Sequence, residues 1–264
     1  MASRTKQKEE ARTRRLAEEA ERAQRARSQR RLRMVGGSVL GAVVVVVVLV
    51  AISSGGGGST KGLKTGQQAT QTSTVVSRLL SGVPQSGATL GNPKARVTMT
   101  YYGDLECPAC RLFSLSGGLP QLIASDVRAG QVKVVYRAYQ TATQDPTTFQ
   151  TQQVAALAAG EQHHFWDYLE LFYRQQGVEG SGYVTERYLD GLARQIPGLN
   201  YSRWLSARNN STLAATVQAD LKSGQALGIP GTPTLILEGP RAKMQAPTAV
   251  PTYAQLEQVI KSVA

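Results

Sequence analysis

Cys107 and Cys110 are the only cysteines in a chain of 264 residues, and they stand three positions apart in GDLECPACRLF, residues 103–113. Bridged to each other they close a loop too short to remove much entropy from the unfolded chain, so stapling a large domain is a poor use for them. A closed structural zinc site needs four ligands, and the chain offers besides them only two histidines, His163 and His164. Redox chemistry is the leading reading that remains. A competing reading from another class is a metallochaperone or scaffold in which the two thiolates hold copper(I) as soft ligands. It lacks a third ligand beside the pair, since no Met or His is adjacent.

Redox use of two cysteines depends on compartment. The formal net charge is +12, and it is unevenly spread: residues 1–33 hold 12 Lys/Arg against 5 Asp/Glu, net +7, leaving 18 against 13, net +5, for residues 34–264. Met34 to Ile52, MVGGSVLGAVVVVVVLVAI, follows with 19 residues and no charge. As a helix that run spans about 28 Å, close to the hydrocarbon thickness of a bilayer. It reads as one transmembrane helix, an uncleaved anchor in preference to a cleaved signal peptide, whose apolar and basic regions are shorter. The basic segment before it puts the N-terminus in the cytoplasm and everything after residue 52 outside, where disulfides persist. Residues 1–33 have i,i+4 pairs such as Glu10 with Arg14 and almost no apolar face. They read as a solvated helix that sets topology. Nucleic acid is not expected as a partner, because no aromatic residue is interleaved with the charges.

Residues 53–74 are rich in Gly, Ser, Thr and Gln, without apolar period, and read as a flexible tether. The folded domain is expected over 75–264. Val97 to Tyr102 reads as a strand ending just before the cysteines, and the residues after Cys107 as a helix broken near Gly117, Gly118 and Pro120. Residues 131–139 are a second strand. From about 148 to 227 the period becomes helical, with stripes such as Phe165, Leu169 and Phe172 that belong to a core. TPTLILEG is a third strand, followed by a hairpin through Pro240 to Met244 and a closing amphipathic helix. This order is α/β with a parallel crossover and an inserted helical subdomain.

Cys107 then falls at a helix start, where free N–H groups and the positive end of the dipole favour a thiolate. Such sites lower a thiol pKa from about 8.5 into a range of roughly 3.5 to 7.5. Pro108 suits the first helical turn, where no N–H partner is needed. Cys110 sits one turn on, less exposed and within reach of a disulfide. Cys107 is therefore the attacking residue and Cys110 the resolving one. Glu106 would raise the Cys107 pKa and Arg111 lower it, or both are simply solvated charges; Asp104 is a buried proton acceptor or a strand-end residue.

A second motif, GIPGTPT at 228–234, sets Pro233 directly before a strand, where a redox fold of this type places a cis X-Pro bond. With it the chain resembles the DsbA-like thiol-disulfide oxidoreductases of the thioredoxin superfamily, as in bacterial membrane-anchored members. The resemblance covers about 75–263 and is carried by LGNPKARVTMTYYGDLECPAC, KVVYRAY, FWDYLELFYRQQ and LGIPGTPTLILEG. It implies a thioredoxin-like fold, no cofactor and no metal. It also implies that the loop at Thr232 and Pro233 lies beside the active-site disulfide and pairs with a substrate peptide. Strong oxidants of the family often carry His between the cysteines, and this chain departs from them with Pro108 and Ala109. The implied activity is a membrane-tethered, extracytoplasmic oxidase that forms disulfides in exported cysteine-containing proteins and is reoxidised by a membrane or soluble redox partner. The alternatives are a reductase or isomerase running the same exchange, or the copper(I) module.

Overall fold

The computed structural model describes residues 62–264. The basic segment 1–33, the apolar run 34–52 and the first part of the expected tether lie outside the described residues. Among the described residues no helix is long and apolar enough to cross a membrane.

The expected tether ends early. Helix α1, Gly66–Leu80, begins within it. Its first half carries no apolar stripe because it is docked by hydroxyls: Thr72 and Ser73 are buried, and Ser73 Oγ donates to Gln195 O at 2.7 Å. Just upstream, Lys64 N donates to Gln175 Oε1 at 2.8 Å. Residues 62–74 thus belong to the folded domain.

A six-stranded sheet follows in the spatial order β1-β2-β4-β3-β5-β6. Its short edge hairpin is β1, Gln85–Ser86, and β2, Thr89–Leu90. Its centre is β3, Val97–Gly103, and β4, Val132–Ala138, paired in parallel with Tyr101 opposite Tyr136. On the other side β3 pairs antiparallel with β5, Thr234–Glu238, which pairs antiparallel with β6, Lys243–Gln245. Val97, Met99 and Tyr101 alternate into the core along β3, the period-2 pattern of a strand with one fully covered face.

Between β3 and β4 run α2, Pro108–Leu115, and α3, Leu119–Leu122, the latter continuing as a π-helical turn, Ile123–Val127. The break between α2 and α3 falls at the glycines. Gly118 N donates to Pro251 O at 2.8 Å, and a Cβ there would sit 2.9 Å from that oxygen, so only glycine permits the approach. The helices between β4 and β5 are α4, Pro146–Gly160; α5, Phe165–Arg174; α6, Glu186–Ala193; α7, Tyr201–Ala207; and α8, Ser211–Ala226. Helix α9, Tyr253–Val263, closes the domain behind a capping box of Thr252 and Gln255.

Helix α5 is buried from Phe165 through Tyr173, on every face rather than along one stripe. It can be, because α1, α2, α4, α6 and β1 all pack against it. The polar tips find partners: Trp166 Nε1 donates to Ala88 O at 3.1 Å and, on α7, Trp204 Nε1 to Ala155 O at 2.8 Å. Glu170 is sealed in this helix against Arg174, 3.2 Å away. Burial pushes its carboxyl from 4.5 up to about 7, against the pull of Arg174. The folded protein therefore holds a proton that the unfolded chain has released. The stability this contributes is complete below about pH 4.5 and is lost as pH rises through about 7. Urea midpoints measured across that window should fall more steeply in the parent than in Glu170→Gln, and an identical pH profile in the two proteins would contradict the assignment.

Candidate active site

Cys107 caps the N-terminus of α2. Its backbone is extended, φ −71° and ψ 120°, Pro108 takes the first helical turn, and the sulfur accepts the Cys110 N–H at 3.4 Å. Ala109 follows, packed partly against the core, and its neighbour Cys110 turns inward. Both cysteines are free thiols. Both are buried, but Cys107 retains 6% exposure and Cys110 none, so Cys107 is the less enclosed of the two.

The electrostatics follow the same asymmetry. The Cys107 thiol is held below its ordinary value, first by its hydrogen bond with the Cys110 thiol and further by the Thr232 side chain and the Cys110 N–H. Burial and the Asp104 carboxylate oppose this. Cys110 is pushed well up, first by burial and then by Cys107. Neither Glu106 nor Arg111 is among the groups that set the Cys107 value, contrary to one sequence expectation. Nor are they freely solvated charges: Glu106 is buried, and Arg111 Nε donates to Tyr173 O at 3.0 Å.

Thr232 and Pro233 stand against the pair. The peptide between them is cis, and the Cys107 thiol donates to Thr232 O at 3.2 Å. A groove of about 260 Å³ runs along this loop between Thr232, Pro233, Gln245, Ala246 and Thr248. The loop is held in turn by a hydrogen bond between the hydroxyls of Thr232 and Thr141.

Asp104 explains where Thr141 comes from. It is fully buried and is a clasp more than a strand end. Oδ2 accepts the N–H groups of Thr141, Ala142 and Thr143 at 2.9, 2.8 and 2.9 Å. Oδ1 accepts the Thr143 hydroxyl at 2.6 Å and Glu106 N at 3.1 Å. One carboxylate thus ties the loop after β4 to the turn that leads into the cysteines. Below it, Tyr101 OH can give its one proton either to Tyr173 OH at 3.2 Å or to Cys110 O at 3.4 Å, and Tyr173 OH donates to Asp104 O at 3.3 Å. Gln176 Nε2 donates to Leu105 O and Cys107 O at 2.7 and 3.2 Å. Sequence reasoning did not single out Thr141 and Thr143, which lie in no motif, or Tyr101, Tyr173 and Gln176, which fall within the quoted stretches but act across the fold.

The histidines serve elsewhere. His163 Nδ1 hydrogen-bonds Gln85 O at 2.9 Å, and His164, at the start of α5, pairs with Asp167 at 3.2 Å. Among the described residues no group of three or more His, Cys, Asp or Glu side chains is placed to hold a metal ion.

Known proteins resemble this chain in sequence and in fold. A family model described as Thioredoxin matches residues 85–262. Disulfide bond formation protein D of Bacillus subtilis is 26% identical over 151 residues, which is 55% of this chain and 65% of that protein. The probable disulfide bond formation protein D of Bacillus anthracis is 22% identical over 57% of this chain and 69% of its own length. The chain thus spans about two thirds of these relatives. Among solved structures, oxidised BdbD from Bacillus subtilis superposes with a TM-score of 0.58 at 22% identity, over 69% of this chain and 96% of that one. DsbA from Chlamydia trachomatis does so with 0.55 at 19% identity, over 66% and 89%. With a cysteine pair at a helix start and the Thr232–Pro233 loop on the sheet beside it, the chain belongs to the thioredoxin family and is one of its DsbA-like thiol-disulfide oxidoreductases.

Proposed function

We propose that the chain is a dithiol oxidase held on the outer side of the cell membrane by residues 34–52, its N-terminus in the cytoplasm, acting on exported cysteine-containing proteins. The observation that carries the oxidase reading is the capped Cys107. Its sulfur accepts the Cys110 N–H at the helix start, which favours a thiolate and so the reduced form of the pair. A pair whose reduced form is stabilised is a strong oxidant, because it gains by taking electrons.

Exchange runs in two balanced displacements. A substrate thiolate attacks Cys107 Sγ in the oxidised pair, the Cys107–Cys110 bond breaks, and Cys110 leaves as a thiolate that takes up a proton. A second substrate thiolate attacks the substrate sulfur of the mixed disulfide and releases Cys107 as the thiolate. Two electrons pass from substrate to pair, and a membrane or soluble partner must accept them to restore the disulfide. Cys107 is the attack site because it alone keeps solvent access; Cys110 resolves. Pro108 and Ala109 form the intervening turn, and the backbone of Thr232 and Pro233 pairs with an extended substrate beside the groove.

Equilibration of the full-length protein with glutathione buffers tests the direction. A potential nearer about −120 mV than about −270 mV supports an oxidase, and the reverse supports a reductase. Reduced, unfolded ribonuclease mixed with the oxidised protein should gain disulfides while the protein gains free thiols. No transfer would end the oxidase reading.

A further inference from the structure

A pocket of about 310 Å³ lies beside α1, α2 and α5, lined by Lys64, Gln71, Thr72, Arg111, Leu115 and Arg174. Three of those side chains are cations, and the fold places little negative charge against them. Helices α1 and α2 contain no Asp or Glu. Of the two acids on α5, Asp167 is engaged with His164. The other, Glu170, meets Arg174 through one oxygen at 3.2 Å. Its second oxygen, Oε1, and Arg174 Nε are both buried without a hydrogen-bond partner. Lys64 Nζ has Thr72 Oγ1 at 3.3 Å. The Lys64 ammonium is held below its ordinary value, first by burial and then by the charges of Arg174 and Arg111. The three cations therefore repel one another, and an anion between them would turn that repulsion into attraction.

We propose that this pocket binds a phosphate-type oxyanion. Two guanidinium forks and an ammonium suit its several oxygens, as phosphate sites elsewhere combine planar bidentate donors with a point charge. The Gln71 amide supplies a neutral donor on the same wall, whereas the Thr72 hydroxyl donates to Gln68 O at 2.8 Å. The site is independent of the cysteines and of the oxidase reading. Two sources present the same group: free phosphate, and the headgroup of an anionic lipid. Lys64 follows Ile52 by 12 residues, at most about 40 Å of extended chain from the apolar run.

Isothermal titration of the full-length protein at constant ionic strength distinguishes them, with inorganic phosphate as one probe and glycerophosphoglycerol, a soluble lipid headgroup, as the other. Saturable binding of at least one probe is expected, weakened about tenfold in Lys64→Gln and in Arg111→Gln, the loss of one charge-assisted contact. Lys261→Gln on α9 removes the same charge elsewhere and should bind as the parent does. Circular dichroism confirms that each variant is folded. Tighter binding of phosphate assigns the free ion, and tighter binding of glycerophosphoglycerol the headgroup. Flat titrations with both probes, or parental affinity in both pocket variants, overturn the proposal.

Discussion

Cys107→Ser is expected to reduce disulfide transfer to the uncatalysed solution rate, the largest effect of any single substitution in this chain. The sulfur that remains, Cys110, is fully buried and its thiol is pushed well up by burial, so it is both unreachable and protonated. Cys110→Ser should behave differently. Its Cys107 thiolate still attacks an oxidised peptide, forming a mixed disulfide and expelling one peptide thiolate, but no resolving thiol remains and the adduct should accumulate. Mass spectrometry after mixing each variant with a disulfide-bonded peptide reads both outcomes. Adducts on Cys110 in the Cys107→Ser protein would reverse the roles.

The second large effect is on stability. Asp104→Ala removes the acceptor of three backbone N–H groups, Thr141, Ala142 and Thr143, and of the Thr143 hydroxyl. A buried donor left without a partner costs about 1–3 kcal/mol. Thr143 is fully enclosed while Thr141 and Ala142 are nearer water, so the total should be about 4 kcal/mol, read as a lower urea midpoint with unchanged slope. Asp104→Asn isolates the charge, because one amide oxygen can still accept. Asp104 opposes the Cys107 thiolate, so in Asp104→Asn the thiolate absorbance of the reduced protein should titrate at lower pH. A titration shifted upward would show that the carboxylate acts on Cys107 through loop position and not through charge.

These two residues mark the division between what the sequence made legible and what it did not. The strand before the cysteines, the helix after them and the strand after GIPGTPT are visible because each has its own local signature: period-2 alternation at Val97, Met99 and Tyr101, a proline behind a capping residue at Cys107, a proline ahead of a β-rich run at Pro233. Asp104 has no such signature. Its partners lie 37 to 39 residues away in a Thr-Ala-Thr loop that could be any turn. The first half of helix α1 is hidden for a related reason. Gly66–Thr74 docks through Thr72 and Ser73 hydroxyls, and hydrogen bonding leaves no hydrophobic period to detect. The edge strands β1 and β2, two residues each, are too short to show alternation. In α5 the expected stripe was real but incomplete, because only the packed fold shows that helices surround it on every side.

The chemistry rests on Cys107 being a reachable thiolate and Cys110 a sealed thiol. Iodoacetamide labelling of the reduced full-length protein across a pH series, with each cysteine quantified by mass spectrometry, tests it most directly. Cys107 alone should be labelled in the native state, at a rate that titrates below the ordinary thiol value of about 8.5. Equal labelling of the two cysteines, or a Cys107 rate that titrates at 8.5 or above, would contradict it.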